Sequence, residues 1–231
     1  MTDLLDIYKA CQAILPADVD VFASQEGEDI LIKRLLKRLY FRSGFYVDVG
    51  AHHPIRFSTT LHYYMRGWRG INIEPLGEAL ELFERLRPND INIKSAVGMP
   101  AASMTYYKFK EPAFNTVSTE QARYAQSKTE LIGEEQITVE PLAAILDKHL
   151  PKSAQDTFHF LNIDVEGFEA SVLRSNDWGR YRPRLVLVEA LTETAVQEVS
   201  ELLGQQQYFF VARTKNTYFF AEQQFKRDYV D

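Results

Sequence analysis

Short runs of apolar and β-branched residues recur along the chain, and stretches with helical spacing separate them. Five of these runs predict buried strands: FYVDVGA (45–51), GINIEP (70–75), INIKSAVG (91–98), FHFLNIDVEG (158–167) and RLVLVEA (184–190). The spacing between them predicts helices over residues 58–65, 75–86, 141–150, 168–175 and 192–204. Because strands and helices alternate, the pattern predicts a doubly wound, mostly parallel, Rossmann-like α/β sheet with helices on both faces.

The two ends of the chain add further elements to this sheet. Two amphipathic helices are predicted ahead of the first strand, one over residues 3–15 and one that begins after Ser24-Gln25-Glu26, with Ser24 as its cap, and runs to about Phe41. The last apolar runs, YFFVARTK and NTYFFAE (208–222), alternate around a Lys-Asn pair. This alternation predicts a closing antiparallel hairpin.

The regular alternation breaks between residues 101 and 140. Two candidate strands, SMTYYKF (103–109) and ITVEP (137–141), flank a polar stretch there, which we predict to be an exposed, partly mobile insertion. We predict one structural domain, in which N-terminal helices (1–42) cover the site of a catalytic part (43–231) that carries this insertion.

Composition narrows the class of protein. The 231 residues are 45% hydrophobic and carry a formal net charge of −6, without the basic stripe that nucleic acid requires. No run approaches the roughly 18–20 apolar residues of a membrane span. The N-terminus lacks the basic start and the cleavage site of a signal peptide, and the single cysteine, Cys11, fits a reducing compartment. We therefore predict a cytoplasmic protein with no nucleic-acid partner and no membrane span.

Four of the five predicted strands end in an acid, namely Asp48, Glu74, Asp164 and Glu189. In an open parallel sheet, ligands bind beyond the carboxyl ends of the strands, near the point where the strand order reverses. After the first strand, Gly50 allows a tight turn and Ala51 keeps the approach of a ligand open. An acid at the end of the second strand can accept both hydroxyls of a ribose. The combination predicts a nucleoside ligand.

Two adenosine cofactors, NAD and S-adenosylmethionine (SAM), are candidates for this site. A dinucleotide site needs G-x-G-x-x-G, because the pyrophosphate rests against bare backbone at a helix N-terminus. The residues after Gly50 are Ala, His, His and Pro, which give a pyrophosphate poor access. SAM has no phosphate, and its ammonium and sulfonium groups favour nearby acids such as Asp48 and Asp164. The acidic strand ends therefore favour SAM over NAD.

Several segments, taken in order, resemble the FkbM-type SAM-dependent methyltransferases. They are SQEGEDILI (24–32), GFYVDVGAHHPIRFSTTLHYYMRGWRGINIEP (44–75), LNIDVEGFEASVL (161–173) and RPRLVLVEA (182–190). The resemblance implies the class I methyltransferase fold and SAM as the cofactor. It also implies a methyl acceptor that is a hydroxyl on a sugar or natural product, or in a few members another group such as a protein side chain.

Residues near the strand ends are the candidates for cofactor binding. They are Asp48, Gly50, Ala51, His52, Ser58, Thr59, Glu74, Pro75, Ser95, Ala96 and Val97. Asp48 and Glu74 are favoured because a carboxylate that ends a buried strand is costly without a partner. Ser58 and Thr59 could reach the carboxylate of the cofactor through hydroxyl and backbone N–H groups, or cap a helix instead.

Methyl transfer to a hydroxyl needs in-line geometry and a base that takes the proton. The candidate catalytic residues are Asp164, Glu166, Glu189 and His53, and His52 is a further candidate for the base. Because the two histidines are adjacent and cannot point the same way, we assign His52 to the cofactor and His53 to the acceptor. The three acids could instead hold a divalent metal that lowers the pKa of the acceptor hydroxyls. The sequence leaves both the base and the metal open.

These inferences predict a SAM-dependent O-methyltransferase that acts on a small-molecule or glycan acceptor, such as a sugar or a glycosylated natural product. One alternative is a non-sugar acceptor, either a protein side chain or a polyketide. The chain lacks the phosphate-binding loop that an NAD-dependent sugar oxidoreductase requires. A non-catalytic SAM-fold module that binds a partner would not need an acid at so many strand ends. The acceptor, the position methylated and the oligomeric state, including a homodimer, stay open.

Overall fold

Two β-sheets organise the computed structural model, which describes residues 6, 10, 14, 20–37, 43–99, 101–154 and 158–225. The larger sheet contains β1 (Phe45–Val49), β2 (Arg69–Ile73), β3 (Ile91–Ile93), β7 (Phe160–Ile163), β8 (Leu185–Glu189), β9 (Tyr208–Arg213) and β10 (Thr217–Glu222), and the smaller one contains β4 (Ala96–Val97), β5 (Ala102–Phe109) and β6 (Leu131–Glu140). Apart from residues 6, 10 and 14, the predicted helix over residues 3–15 lies outside the described residues, as does the predicted helix end at 38–41.

The strand order of the larger sheet is β3-β2-β1-β7-β8-β10-β9. The first five strands of this order are parallel to their neighbours, whereas β10 is antiparallel to both β8 and β9. This arrangement confirms the predicted mostly parallel α/β sheet with a C-terminal antiparallel hairpin. The chain moves outward from β1 to one side through β2 and returns on its other side as β7, so the strand order reverses at β1.

Helices cover both faces of the larger sheet. The α-helices of the described residues are α1 (Glu28–Lys37), α2 (Leu61–Met65), α3 (Gly77–Leu86), α4 (Thr119–Gln126), α5 (Leu142–His149), α6 (Glu169–Arg174) and α7 (Glu193–Gln205). Because successive strand side chains point to opposite faces, Val47 packs with residues of α5, α6 and α7, whereas Tyr46 packs with Ile32 and Leu36 of α1. Within the described ranges, no helix has the length and apolar character that would span a bilayer.

The prediction of one strand over residues 91–98 is wrong. β3 ends at Ile93, and Ala96–Val97 forms β4, which pairs in parallel with β6 of the smaller sheet. The chain changes sheets because Ala96 packs into a separate small core with Tyr106, Val117 and Val139. A single apolar run therefore contributes a strand to each of two sheets. Strand periodicity alone cannot tell such a run from one continuous strand.

The segment 101–140 contains regular secondary structure, including a helix in its polar stretch. β5 and β6 correspond to the two predicted strands and pair in antiparallel register. Between them lies α4, whose N-terminus is capped by the Ser118 hydroxyl, which accepts a hydrogen bond from Gln121 N at 3.3 Å. The buried face of α4 consists of Ala122 and Ala125. Two alanines give too weak an apolar signal for the sequence pattern to reveal the helix.

Candidate functional site

A cavity of about 780 Å³ lies beyond the carboxyl ends of β1, β2, β7 and β8, where the strand order reverses. The smaller sheet and the turn of the C-terminal hairpin also contribute to its walls. All but one of the predicted site residues line it, namely Asp48, Gly50, Ala51, His52, Ser58, Thr59, Glu74, Pro75, Ser95, Ala96, Val97, Asp164, Glu166 and Glu189. The exception is His53, which is absent from the lining.

Gly50 lets β1 and β7 come together at the floor of the cavity. Its backbone is left-handed, with φ of 78°, and an added Cβ would lie 1.7 Å from the carbonyl oxygen of Asp164. The glycine predicted to turn beside a ligand is therefore also required for the close approach of two strand ends. This contact places Asp48 and Asp164 at the same edge of the sheet.

The backbone amides that follow β1 have acceptors within the protein. Gly50 N and Ala51 N both donate to the carbonyl oxygen of Ile73, at 3.0 and 3.2 Å. His52 N donates to Glu74 at 3.0 Å, and His53 N donates to the carbonyl oxygen of Ala51 at 2.6 Å. A pyrophosphate needs amides that point freely at it. This loop is therefore unsuited to a dinucleotide.

Glu74 directly follows β2, and its carboxylate is held by two backbone amides. One oxygen accepts from His52 N at 3.0 Å and the other accepts from Leu76 N at 2.8 Å. The side chain also hydrogen-bonds to Tyr106 of β5. Burial raises the pKa of Glu74 to about 7 despite these donors. A carboxylate has about four lone-pair sites, so these three donors leave room for one further donor from the cavity.

Three carboxylates, referred to below as the acidic trio, meet on the other side of β1. They are Asp164 after β7, Glu166 two residues later and Glu189 at the end of β8. One oxygen from each lies within 4.8 Å of an oxygen of both others. Two parallel strands thus bring together Asp164 and Glu189, which are 25 residues apart in the sequence. Their proximity was predicted, because both acids lie at strand ends.

Comparison with known proteins identifies the family. The family model described as the methyltransferase FkbM domain matches residues 48–211, which is more than half of the chain. The chain belongs to the FkbM methyltransferase family. This membership confirms the resemblance, and with it a methyltransferase that uses SAM as its cofactor. No curated protein matches the sequence.

Several solved methyltransferase structures are similar to this FkbM-family chain. Precorrin-6y C5,15-methyltransferase from Geobacter metallireducens is 13% identical, with a TM-score of 0.44 over 86% of this chain and 91% of that one. A TehB-like SAM-dependent methyltransferase from Corynebacterium glutamicum is 8% identical, with a TM-score of 0.42 over 95% and 97%. An O-methyltransferase from Bacillus cereus, solved with SAH, is 10% identical, with a TM-score of 0.40 over 96% and 91%.

In this FkbM methyltransferase, the carboxylate of Asp48 is held by hydrogen bonds from other side chains of the protein. Its carboxylate accepts from Asn162 Nδ2 at 2.9 Å and from the Thr60 hydroxyl at 2.8 Å. The buried guanidinium of Arg87 donates to the same Thr60 hydroxyl at 2.9 Å. Burial raises the pKa of Asp48. Asp48 therefore organises the floor of the cavity, and its partners were missed because they lie 12 to 114 residues away.

The two adjacent histidines have different environments. The His52 backbone is left-handed, with φ of 53°, and its buried Nε2 has no hydrogen-bond partner among the described residues. Burial lowers the pKa of His52 to about 4, so the ring is neutral at pH 7. In contrast, His53 Nδ1 accepts from the amides of Ile55 and Arg56 at 3.0 and 2.9 Å. His53 stabilises its own loop, and the structure gives no support to its assignment to the acceptor.

The remaining predicted cofactor residues serve the walls of the cavity. The Ser58 hydroxyl accepts from Leu61 N, the first amide of α2, at 3.2 Å and from Arg87 at 3.2 Å. The Ser95 hydroxyl donates to the carbonyl oxygen of Ala96 at 3.0 Å. Thr59 is buried and also lines the cavity. The hydroxyl groups of Ser58 and Ser95 therefore have partners within the protein.

The electrostatics of the acidic trio follow from burial and mutual repulsion. The Asp164 side chain is exposed to the cavity, although it is surrounded by protein groups on its other sides. Burial, followed by the charges of neighbouring acids, raises the pKa of Asp164, Glu166 and Glu189. One carboxylate oxygen of Glu189, Oε2, is buried without a partner among the described residues. The trio can therefore share a proton, or its oxygens can surround a hard cation such as Mg²⁺.

The smaller sheet supplies site residues that sequence reasoning missed. Tyr106 and Asn115 line the cavity, as does Glu111, whose carboxylate forms a bidentate ion pair with Arg56 at 2.8 and 3.2 Å. The predicted insertion thus forms one wall of the site. No local signal marked these residues, since each lies in a run whose pattern is that of an ordinary strand or turn.

Proposed function

We propose that this FkbM-family methyltransferase transfers the methyl group of SAM to a hydroxyl group of a sugar, a glycan or a glycosylated natural product. The observation that carries the proposal is the acidic trio, three carboxylates within 4.8 Å of one another at the carboxyl ends of adjacent strands. Carboxylates accept hydrogen bonds from hydroxyl groups, and a group with a pKa near the working pH is an efficient base.

The cofactor fits the half of the cavity between β1 and β2. Bound there, SAM supplies an activated methyl group on a positively charged sulfur. Glu74 would accept a hydrogen bond from a ribose hydroxyl, because it lines the cavity beside Pro75 and its carboxylate has room for one further donor. His52 Nε2 is buried and unpaired in the same wall, so it offers a hydrogen bond that a ligand would complete. Ala96 and Val97 supply apolar surface beside them.

The acidic trio would orient the acceptor hydroxyl and take its proton. We assign the base to Asp164, because burial raises its pKa to about 7, near the pH at which proton transfer is efficient. Glu189, whose pKa is raised furthest, would stay protonated and hold the hydroxyl oxygen. The same residues have the chemistry of a divalent cation site, so the experiment below includes a metal-free arm.

Aromatic side chains favour a sugar as the acceptor. Phe57, Phe114 and Tyr124 line the cavity, and both Phe57 and Tyr124 are exposed. Flat aromatic faces at the rim of a site stack against the apolar faces of sugar rings. A protein side chain or a polyketide remains the alternative acceptor. The single cysteine supports the proposal of a cytoplasmic enzyme.

The N-terminal segment is proposed to cover the site. Gln25, Glu26 and Glu28 line the cavity. The carboxylate of Glu26 accepts from Asn216 N at 3.1 Å, and that of Glu28 accepts from the Thr214 hydroxyl at 2.7 Å. These bonds connect the start of α1 to the turn of the C-terminal hairpin, so the two segments approach each other at the same wall of the cavity.

The experiment incubates the protein with SAM that carries a ¹³C-methyl group and a panel of methyl glycosides, amino glycosides and lysine peptides. We expect a methoxy ¹³C resonance from a glycoside, and a roughly 100-fold slower transfer for Asp164→Asn than for wild type. Asp147→Asn, at an exposed position on α5, is the matched control.

Three outcomes would contradict parts of this proposal. Label found only on nitrogen would exclude the hydroxyl acceptor. Equal rates for Asp164→Asn and wild type would remove Asp164 as the base. Loss of activity in metal-free protein, with recovery on adding Mg²⁺, would assign the acidic trio to a cation.

Stability is expected to depend on pH through the acidic trio. Burial raises the pKa of Asp164 to about 7 and that of Glu166 to about 8, whereas both titrate near 4 in an unfolded chain. The folded state therefore binds more protons, and the free energy of unfolding falls as the pH rises from about 6.5 to about 8.5. Below about pH 6.5 the buried histidines have the opposite effect on the free energy of unfolding, because they bind protons more readily in the unfolded chain.

We therefore expect the Tm of Glu166→Gln to increase relative to that of wild type as the pH rises through this window, because the variant has lost one of the repelling charges. Thermal unfolding at several pH values measures the difference. Glu134→Gln, an exposed position on β6, should give a constant difference. Parallel Tm curves for Glu166→Gln and wild type would contradict the prediction.

A further inference from the structure

Thr116 connects the smaller sheet to the loop that carries Glu166. It lies between β5 and α4 and is 1% exposed. Its hydroxyl donates to the carbonyl oxygen of Glu166 at 2.7 Å and accepts from Ser118 N at 2.9 Å. Because the amide of Ser118 can only donate, the direction of both bonds is fixed. The hydroxyl proton of Thr116 therefore points at the carbonyl oxygen of Glu166.

The backbone of Glu166 is in a conformation that needs support. Its φ is 51°, and that of the next residue, Gly167, is 93°. A left-handed backbone is unfavourable for a side chain such as that of glutamate, so it persists only where neighbouring contacts hold it. On one side, Glu169 Oε1 accepts from Val165 N at 3.2 Å and from Gly167 N at 2.9 Å.

The smaller sheet and its helix hold the other side of this loop. Besides the bond from Thr116, the side chain of Gln121 on α4 packs over Gly167, where an added Cβ would lie 2.4 Å from Gln121 Cγ. The backbone at residue 166 sets the direction in which the Glu166 side chain leaves the chain. A contact that fixes this backbone therefore also fixes the carboxylate relative to Asp164 and Glu189.

We propose that Thr116 is a positioning residue, which holds Glu166 in its left-handed conformation and thereby completes the acidic trio from outside the central sheet. The inference rests on the proposed function of the trio. Without the hydroxyl, the loop is free to leave the left-handed region, and the Glu166 carboxylate turns away from its two partners. The insertion then has a part in building the catalytic groups as well as enclosing the cavity.

The test compares Thr116→Val, which keeps the shape and removes the hydroxyl, with Thr116→Ser, which keeps the hydroxyl. Thr138→Val, at an exposed position on β6, is the matched control. Amide hydrogen exchange at Val165 and Gly167 is measured in the ligand-free protein, together with the ¹³Cα shift of Glu166, which reports its backbone conformation. We expect Thr116→Val to speed exchange at both amides about tenfold and to move the Glu166 shift, while Thr116→Ser and Thr138→Val match wild type.

Three results would overturn the proposal. They are wild-type exchange and an unmoved Glu166 shift in Thr116→Val, an equal change in Thr116→Ser, and faster exchange throughout β5 and β6 in Thr116→Val. The last would mean that the smaller sheet has loosened as a whole. Calorimetric titration of wild type with S-adenosylhomocysteine (SAH), run in parallel, tests the proposed function separately, because the exchange experiment needs no ligand.

Discussion

Replacing Glu74 by alanine is expected to weaken the binding of SAH by about 10- to 100-fold. The carboxylate is buried at the end of β2, and its two backbone donors hold it toward the cavity. One hydrogen bond from a ribose hydroxyl to a charged acceptor contributes about 1.5–3 kcal/mol, which corresponds to a factor of about 10 to 100 in Kd. Isothermal titration calorimetry measures this factor.

Two further variants make the Glu74 measurement specific. Glu74→Gln keeps one acceptor oxygen, so its affinity for SAH should fall between those of Glu74→Ala and wild type. Glu81→Ala, an exposed position on α3, should bind SAH like wild type. If Glu74→Ala stays folded and binds within about fivefold of wild type, the cofactor does not lie against β2.

The second large effect is on stability, and we expect it from Arg87→Met. The guanidinium is 0% exposed and forms an ion pair with Asp90 at 3.0 Å. It also donates to the hydroxyls of Tyr46 and Thr60, at 2.6 and 2.9 Å. Removing one partner of a buried pair leaves an uncompensated charge, and the typical cost is about 3–5 kcal/mol. In Arg87→Met, Asp90 and Asp48 would stay buried without the compensating positive charge, which destabilises the folded state.

Urea unfolding followed by circular dichroism measures the change in the free energy of unfolding. Arg85→Met, two residues earlier on the exposed side of α3, is the matched control and should change stability by less than about 0.5 kcal/mol. A loss of under about 1 kcal/mol in Arg87→Met would contradict the prediction. It would mean that the charge of Asp90 is compensated by its hydrogen bonds from Gly70 N and Asn72.

The central sheet could be predicted from the sequence because its signals are local. A strand buried on both faces is mostly apolar, and β1, β2, β7 and β8 are short runs of this kind, although Asp48, Asn72 and Asn162 interrupt three of them. The acids that end these strands could then be placed at one edge of the sheet, since parallel strands share the direction of their carboxyl ends. Asp164 and Glu189 lie together for this reason.

The parts that could not be predicted depend on contacts between distant residues. The bond from Thr116 to Glu166 joins positions 50 apart, and Arg87 contacts Tyr46 over 41 positions. The sequence around Arg87 is that of an ordinary helix end before a proline, with no sign that the side chain is buried. The assignment of His53 to the acceptor stays a prediction, and the two amides that donate to its ring depend on a loop geometry that the sequence does not show.

The most direct test of the central claim is a calorimetric titration of the wild-type protein with SAH, with NAD⁺ titrated under the same conditions. The claim is that the cavity beyond β1 and β2 binds an adenosine cofactor without a phosphate. We expect one SAH site per chain with micromolar affinity and no heat from NAD⁺. Folded protein that takes up no SAH, or that binds NAD⁺ instead, would contradict the account of this site as the cofactor pocket of a SAM-dependent methyltransferase.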